Sequence, residues 1–190
     1  MPEHITHLAF VAILQASIST VACGLLEEQS AITDEYKDVL DQGSTDVARL
    51  PLELHELALS LVSTSAMTAT EAGEHVILVP FPTSFAGIPQ LMVSLLSECR
   101  SKLSSELQPH ISVLPLLSRS EAVSQRSGLT SADRHSDAAQ QLSTLIAAQG
   151  VQLPSGKLRF IIVDDLVHEG VSLLDGTYRA SLRVLLVLLR

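Results

Sequence analysis

Two adjacent aspartates near the C-terminus are the residues whose types and spacing best suit chemistry. In the stretch RFIIVDDLVHEGVSL, Asp164 and Asp165 follow a short apolar run and precede a loop that contains Gly170 and Ser172. Carboxylates can hold sugar hydroxyls or a hydrated Mg²⁺, and the amides of a loop that leads into a helix can bind an anion. Together these groups suit a phosphorylated sugar. The alternative is that the two aspartates only cap the following helix.

Short apolar runs alternate with helix-like stretches in the part of the chain that contains the aspartates. The strand candidates are VILVPFP, ISVLPLL, LRFIIVDD and RVLLVLL. Between them, apolar residues recur at helical spacing over residues 92–103, and Leu142, Leu145 and Ile146 indicate another helix. Strands that alternate with helices predict a parallel sheet. Ligands of such sheets bind beyond the carboxyl ends of the strands, which is where the aspartates fall.

The first part of the chain predicts helices only. Apolar residues in the stretch 11–25 step by three and four positions, and LPLELHELALSLVS places Leu54, Leu57 and Leu61 on one helix face. The stretch SAMTATEAGEH has small side chains and reads as a connector. The predicted fold is therefore α/β, with a parallel sheet flanked by helices. A helical N-terminal segment over residues 1–70 precedes an α/β domain over residues 71–190.

Composition restricts the functions that the chain can have. Its 190 residues carry a formal net charge of -9, which disfavours a broad nucleic-acid surface and adsorption to anionic lipid. Residues 8–26 are fairly apolar, but they lack a basic start and are interrupted by polar residues, so we expect a packed helix and no membrane segment. Cys23 and Cys99 are too few for a disulfide framework or a metal knuckle. A cytoplasmic location is the expectation.

The aspartate loop and two upstream segments resemble one family. IIVDDLVHEGVS is similar to the phosphoribosyl-pyrophosphate motif of type I phosphoribosyltransferases: an apolar strand, two acids, a loop with glycine, and a hydroxyl residue. The ComF-type, competence-associated branch is the most similar. LVPFPTSFAGIPQ resembles its pyrophosphate loop in Val79, Pro80, Pro82, Gly87 and Gln90, and the polar stretch 119–137 resembles its arginine-started mobile segment in Arg119, Gln125, Leu129 and Arg134. The resemblance covers about residues 76 to 190.

The resemblance implies a role for each part of the site. Asp164 and Asp165 would hold the ribose hydroxyls and act in catalysis, and Thr83 and Ser84 would face the pyrophosphate. Arg119 would start a mobile loop that closes over the ligand. Mg²⁺ would accompany phosphoribosyl pyrophosphate. The 5′-phosphate would lie on the loop formed by Val167, His168, Glu169, Gly170, Val171 and Ser172.

The chain also departs from the family pattern. His168 and Glu169 stand where the family has threonines, and a carboxylate about 4 Å from a phosphate charge costs about 4 kcal/mol at an effective dielectric near 20. This corresponds to roughly a thousandfold in affinity. Ala86 and Pro89 stand where the pyrophosphate loop has arginine and asparagine, and the four-cysteine zinc ribbon that opens ComF-type proteins is not in this sequence.

Three functions follow from these observations. The first is an enzyme that transfers a phosphoribosyl group with Mg²⁺. The second keeps the fold without catalysis, as a nucleotide sensor or as a module that binds a protein partner through its N-terminal helices. The third is a purely structural helical adaptor. The sequence leaves open the acceptor base and the oligomeric state, with a homodimer among the options.

Overall fold

A four-stranded parallel sheet organises the protein. The computed structural model describes residues 5–14, 38–39, 44–82, 86–122, 143–147 and 151–166, with the main chain alone at 5–14 and 164–166. The helices and strands of the described residues are β1 (Ile5–Leu14), α1 (Leu52–Ala72), β2 (His75–Pro80), α2 (Gln90–Ser101), β3 (Ile111–Val113), β4 (Leu117–Arg119), β5 (Leu145–Ala147) and β6 (Leu158–Leu166). The sheet order is β1-β6-β2-β3, and β4 and β5 form a separate antiparallel pair. The predicted α/β class with a parallel sheet is confirmed.

Both faces of the sheet are covered, as expected for parallel strands. Successive strand residues point to opposite faces, and β6 follows this rule: Ile161 packs in one apolar cluster, and Phe160 and Ile162 pack in another. The first cluster contains α1 and α2. The second is formed with the chain around β4, including Leu116 and Leu117. Among the described residues, the sheet is therefore covered by two helices on one side and by β4 with its neighbouring chain on the other.

Helix α1 has a clear start and stop. It begins after Pro51, whose carbonyl accepts from the amide of Leu54, and it ends at Gly73, which has a positive φ of 61°. The amides of Gly73 and Glu74 return to the carbonyls of Thr70 and Ala69, which is the arrangement that ends many helices at glycine. Strand β2 begins at His75, two residues after Gly73, so this turn leads the chain directly from the helix into the sheet.

The buried face of α1 differs from the predicted one. Leu54 is fully buried, but Leu57 is 46% exposed. The core side is instead formed at helical spacing by small and branched residues: Leu54, Ala58, Val62, Ser65, Ala66 and Ala69. The predicted connector SAMTATEAGEH was wrong, since the helix continues to Ala72. The hydroxyls of Thr68 and Thr70 donate to carbonyls one turn earlier, so these residues are accommodated within the helix.

The all-helical N-terminal segment is not confirmed. Residues 5–14, where the helical stripe was predicted to begin, form β1, which pairs in parallel with β6 from Ile5–Leu158 to Leu14–Leu166. A continuous apolar run does not distinguish helix from strand by period alone, and here the pairing partner lies far along the chain. Residues 15–37 lie outside the described part. The predicted boundary between residues 70 and 71 falls in the last turn of α1.

Two further predictions were wrong in type or extent. Leu145 and Ile146 belong to strand β5 and not to a helix, because they pair with β4. The stretch ISVLPLL is not one strand, since Pro115 separates β3 from β4. Proline has no amide hydrogen for strand pairing, so the chain turns there and leaves the parallel sheet.

Candidate functional site

Three parallel strands, β1, β6 and β2, end on the same side of the sheet, next to the acid pair. Pro80, the last residue of β2, is opposite Val163 of β6, and β6 then continues beside β1, with Asp164 opposite Ala12. The strand therefore does not stop before the acids: it includes both and ends at Leu166. We call this side of the sheet, where β1, β6 and β2 end, the carboxyl end.

The chain that leaves β2 stays beside β6. The amide of Phe81 donates to the carbonyl of Val163 at 2.7 Å, one residue before Asp164. The half-buried Phe81 side chain packs on the second apolar cluster. The first residue after β2 is thus fixed next to the aspartate pair.

The same connection leads into helix α2. Pro89 precedes the helix, accepts from the amide of Val93, and is buried. Its position gives a local reason for proline where the family resemblance has asparagine, because proline is tolerated at a helix start. The first turn of α2 contains no acidic residue. A helix N-terminus carries partial positive charge, so this end of α2 favours an anion.

Arg119 is placed differently from the predicted mobile loop. It is the last residue of β4 and is only 5% exposed. Its Nη1 donates to Thr144 Oγ1 at 2.8 Å. Its main chain pairs with Gly87, in the connection between β2 and α2. Strands β4 and β5, which flank the polar segment, are therefore hydrogen-bonded to each other, and Arg119 contributes to this contact.

The remaining predicted site residues lie outside the described part of the chain. They are Thr83 and Ser84 in the pyrophosphate loop, and Val167, His168, Glu169, Gly170, Val171 and Ser172 in the phosphate loop. Ala86, which replaces the family's arginine, is described and exposed. Between Ala86 and Pro89, therefore, the connection carries no cation.

The amino end of the sheet, where β2, β3 and β6 begin, holds polar contacts that the sequence analysis missed. His75 Nε2 is hydrogen-bonded to Ser112 Oγ at 2.8 Å, and Arg159 pairs with Glu74 at 2.8 Å. Arg100 donates to the carbonyls of Ile111 and Gln108. These partners are up to 85 residues apart in sequence, so no local pattern could indicate them.

Burial and charge shift two pKa values near this end. Burial, together with the nearby positive groups of His110 and Arg100, lowers the pKa of His75. Burial raises the pKa of the Cys99 thiol, which keeps it protonated and unreactive at neutral pH. At neutral pH these shifts favour a neutral imidazole at His75, which is hydrogen-bonded to Ser112, and a protonated thiol at Cys99.

The described residues contain no group of three or more His, Cys, Asp or Glu side chains placed to hold a metal ion. No helix in that same part of the chain is both long and apolar enough to cross a membrane. Comparison with known proteins found no matching family model, no matching curated protein and no matching solved structure.

Proposed function

We propose that the protein binds a phosphoribosyl or nucleotide ligand at the carboxyl end of its parallel sheet. The observation that supports this most is the place of the acid pair. Asp164 and Asp165 are among the last three residues of β6, which continues beyond its neighbour β2. Open parallel sheets bind ligands in this position. In the proposal the two carboxylates hold the ribose hydroxyls.

In this proposal, different segments of the chain bind different parts of the ligand. Thr83 and Ser84 follow Phe81 and Pro82 in sequence, so the pyrophosphate side is assigned to them and to the start of α2. The 5′-phosphate is assigned to Val167–Ser172, directly after β6. Arg119 acts through its neighbours in this proposal, because its Nη1 donates to Thr144.

Carboxylates are hard oxygen ligands of the kind that Mg²⁺ takes together with phosphate oxygens, so either Asp164 or Asp165 would suit this ion as a single ligand. When bound with phosphoribosyl pyrophosphate, Mg²⁺ supplies positive charge to the leaving pyrophosphate. Asp164 or Asp165 is the residue that would hold the ion or one of its waters. The chain's own part is to orient the ribose between the ends of β6 and β2.

A second candidate keeps the ligand and omits the transfer. Phosphoribosyl transfer depends on positioning and on stabilising charge on pyrophosphate. The described part of the connection, Ala86–Pro89, has no cation, Arg119 is buried against Thr144, and the chain carries a net charge of -9. These observations favour a sensor that binds a nucleotide without turnover. Binding of a protein partner through the N-terminal part stays a prediction.

Thermal shift with phosphoribosyl pyrophosphate and Mg²⁺ tests the shared proposal. A ligand at 100-fold over its dissociation constant should stabilise the protein by about 2.7 kcal/mol. The matched control is the Asp164→Asn, Asp165→Asn double variant, which removes both charges at nearly constant size and should lose the shift. No shift of the native chain at millimolar ligand would rule out both candidates.

Two further measurements separate and refine the candidates. Release of pyrophosphate in the presence of a nucleobase mixture distinguishes transfer from sensing, provided that the shift is present. Glu169→Thr restores the residue type of the family and removes a carboxylate from the predicted phosphate loop. It should therefore tighten binding. Weaker binding of this variant would mean that Glu169 does not face the phosphate.

A further inference from the structure

In the described part of the connection between β2 and α2, one residue, Gly87, pairs with the β4–β5 unit. In an antiparallel pair, opposite residues alternate between exchanging hydrogen bonds and turning these groups outward. The β4–β5 register places Arg119 opposite Leu145, and the neighbouring amide of Ser120 donates to the carbonyl of Thr144 at 2.8 Å. The main-chain groups of Arg119 are therefore turned away from β5.

The main-chain amide and carbonyl of Arg119 that point away from β5 are hydrogen-bonded to Gly87. The amide of Gly87 donates to the carbonyl of Arg119 at 2.8 Å, and the amide of Arg119 donates to the carbonyl of Gly87 at 3.0 Å. The connection after β2 thus adds a third, one-residue strand beside β4. Gly87 has a φ of 95°, which side-chain-bearing residues rarely adopt. The pairing therefore depends on glycine at this position.

The side chain of Arg119 makes a further contact between the end of β4 and the residue before β5. It is buried, and its Nη1 donates to the hydroxyl of Thr144, which is 2% exposed. Taking a guanidinium out of water is costly unless it is hydrogen-bonded. The hydrogen bond to Thr144 is one of the contacts that offset this cost, and it holds the residue whose main chain pairs with Gly87.

We propose that Gly87, Arg119 and Thr144 form a latch that makes the β2–α2 connection and the β4–β5 pair move as one unit. Arg119 is a positioning residue in this latch. The connection contains the residues assigned to pyrophosphate, so the latch's role in ligand binding rests on the proposed function. The mechanical coupling itself does not, since it is built from contacts within the chain.

Amide hydrogen exchange without ligand tests the coupling. Thr144→Val removes the hydroxyl at nearly constant shape, and Thr144→Ser is the matched control that keeps it. We expect Thr144→Val to speed exchange of the Gly87 and Arg119 amides at least tenfold, with Val76–Val79 in β2 unchanged and Thr144→Ser close to native. Unchanged exchange at Gly87 would overturn the latch. Equal acceleration in β2 would also overturn it, because the effect would then be global.

A second arm separates this proposal from the proposed function. Titration of the native chain and of Thr144→Val with phosphoribosyl pyrophosphate and Mg²⁺ should give a weaker affinity for the variant, restored by Thr144→Ser. A native chain that binds nothing contradicts the proposed function, and the exchange result still decides the latch. Equal affinity of native chain and Thr144→Val, with accelerated exchange at Gly87, would remove the latch's role in binding.

Discussion

The two ends of the sheet are built in different ways. At the amino end, side chains complete one another: His75 with Ser112, Glu74 with Arg159, and Arg100 with two carbonyls. At the carboxyl end, the described contacts between segments are mainly main-chain pairs, such as Phe81 with Val163. Polar side chains that are already bonded to one another, as at the amino end, are not free to bind a ligand. The amino end is therefore held together by its own side chains, and the proposed ligand site lies at the opposite end of the sheet.

Strand β6 runs from one end of the sheet to the other, so a buried residue in this strand tests whether both ends depend on the same apolar core. Phe160→Ala should lower the free energy of unfolding by about 3–5 kcal/mol, because Phe160 is fully buried between its neighbours on the sheet. Urea denaturation followed by circular dichroism measures this loss. Leu52→Ala, at a residue that is 69% exposed, is the control and should change stability little. A small loss for Phe160→Ala would contradict the described core.

The part-buried ion pair tests the amino end. Arg159 and Glu74 are 23% and 10% exposed, so Glu74→Ala leaves a guanidinium in a largely dry position and should cost about 1.5–3 kcal/mol. Denaturant titration again gives the value. The comparison variant is Glu98→Ala, which breaks the exposed pair with Lys102 and should have no measurable effect. Equal losses in the two variants would show that burial does not distinguish the pairs.

Two glycines with similar backbone angles allow a matched comparison of the ends. Gly87, at the carboxyl end, has a φ of 95°, and Gly156, just before β6 at the amino end, has a φ of 105°. A Cβ at either position meets no atom within 4 Å, so alanine adds backbone strain alone. Each substitution should cost about 1–3 kcal/mol. Only Gly87→Ala should speed exchange at Arg119; the same acceleration from Gly156→Ala would contradict a local pairing.

The smallest expected effect is a pH dependence at the amino end. Burial and the nearby charges of His110 and Arg100 lower the pKa of His75, and a hydrogen bond with the Pro109 carbonyl opposes them in part. The unfolded chain then binds a proton more readily than the folded one, so stability falls as the pH drops below about 6.5. An NMR titration of the His75 ring and unfolding at several pH values measure both quantities.

Two variants control this pH dependence. His75→Gln cannot titrate and should flatten the fall in stability with acid. His110→Gln keeps His75 but removes one neighbouring charge, so the pKa of His75 should move back toward its ordinary value. A pKa of His75 at or above 6.5 in the native protein would contradict the predicted loss at acidic pH.

The same difference between the ends explains what the sequence predicted. The apolar runs that became β2 and β6, and the spacing that became α2, are local signals, and all three were predicted correctly. The acid pair was also placed at the carboxyl end, because its motif is contiguous. The predicted strand LRFIIVDD already included both aspartates, and the pairing with β1, whose residues lie near the opposite terminus, carries β6 one residue further, to Leu166.

The features that were missed depend on distant partners. β1 was predicted as a helix because its apolar run fits both periods, and only β6 decides between them. Leu145 and Ile146 fit a helix until β4 pairs with them. The His75–Ser112 bond joins residues 37 apart. Arg119 was assigned to a loop from its polar sequence, but its pairing with Gly87 and its burial follow from the fold.

The most direct test of the account is an NMR titration of ¹⁵N-labelled protein with phosphoribosyl pyrophosphate and Mg²⁺. The account predicts amide shifts at Phe81, Gly87 and Arg119 and at the end of β6 around Asp164 and Asp165, with the amides of His75 and Ser112 unaffected. Shifts confined to the amino end, or none at millimolar ligand, would contradict a ligand site at the carboxyl end of the sheet.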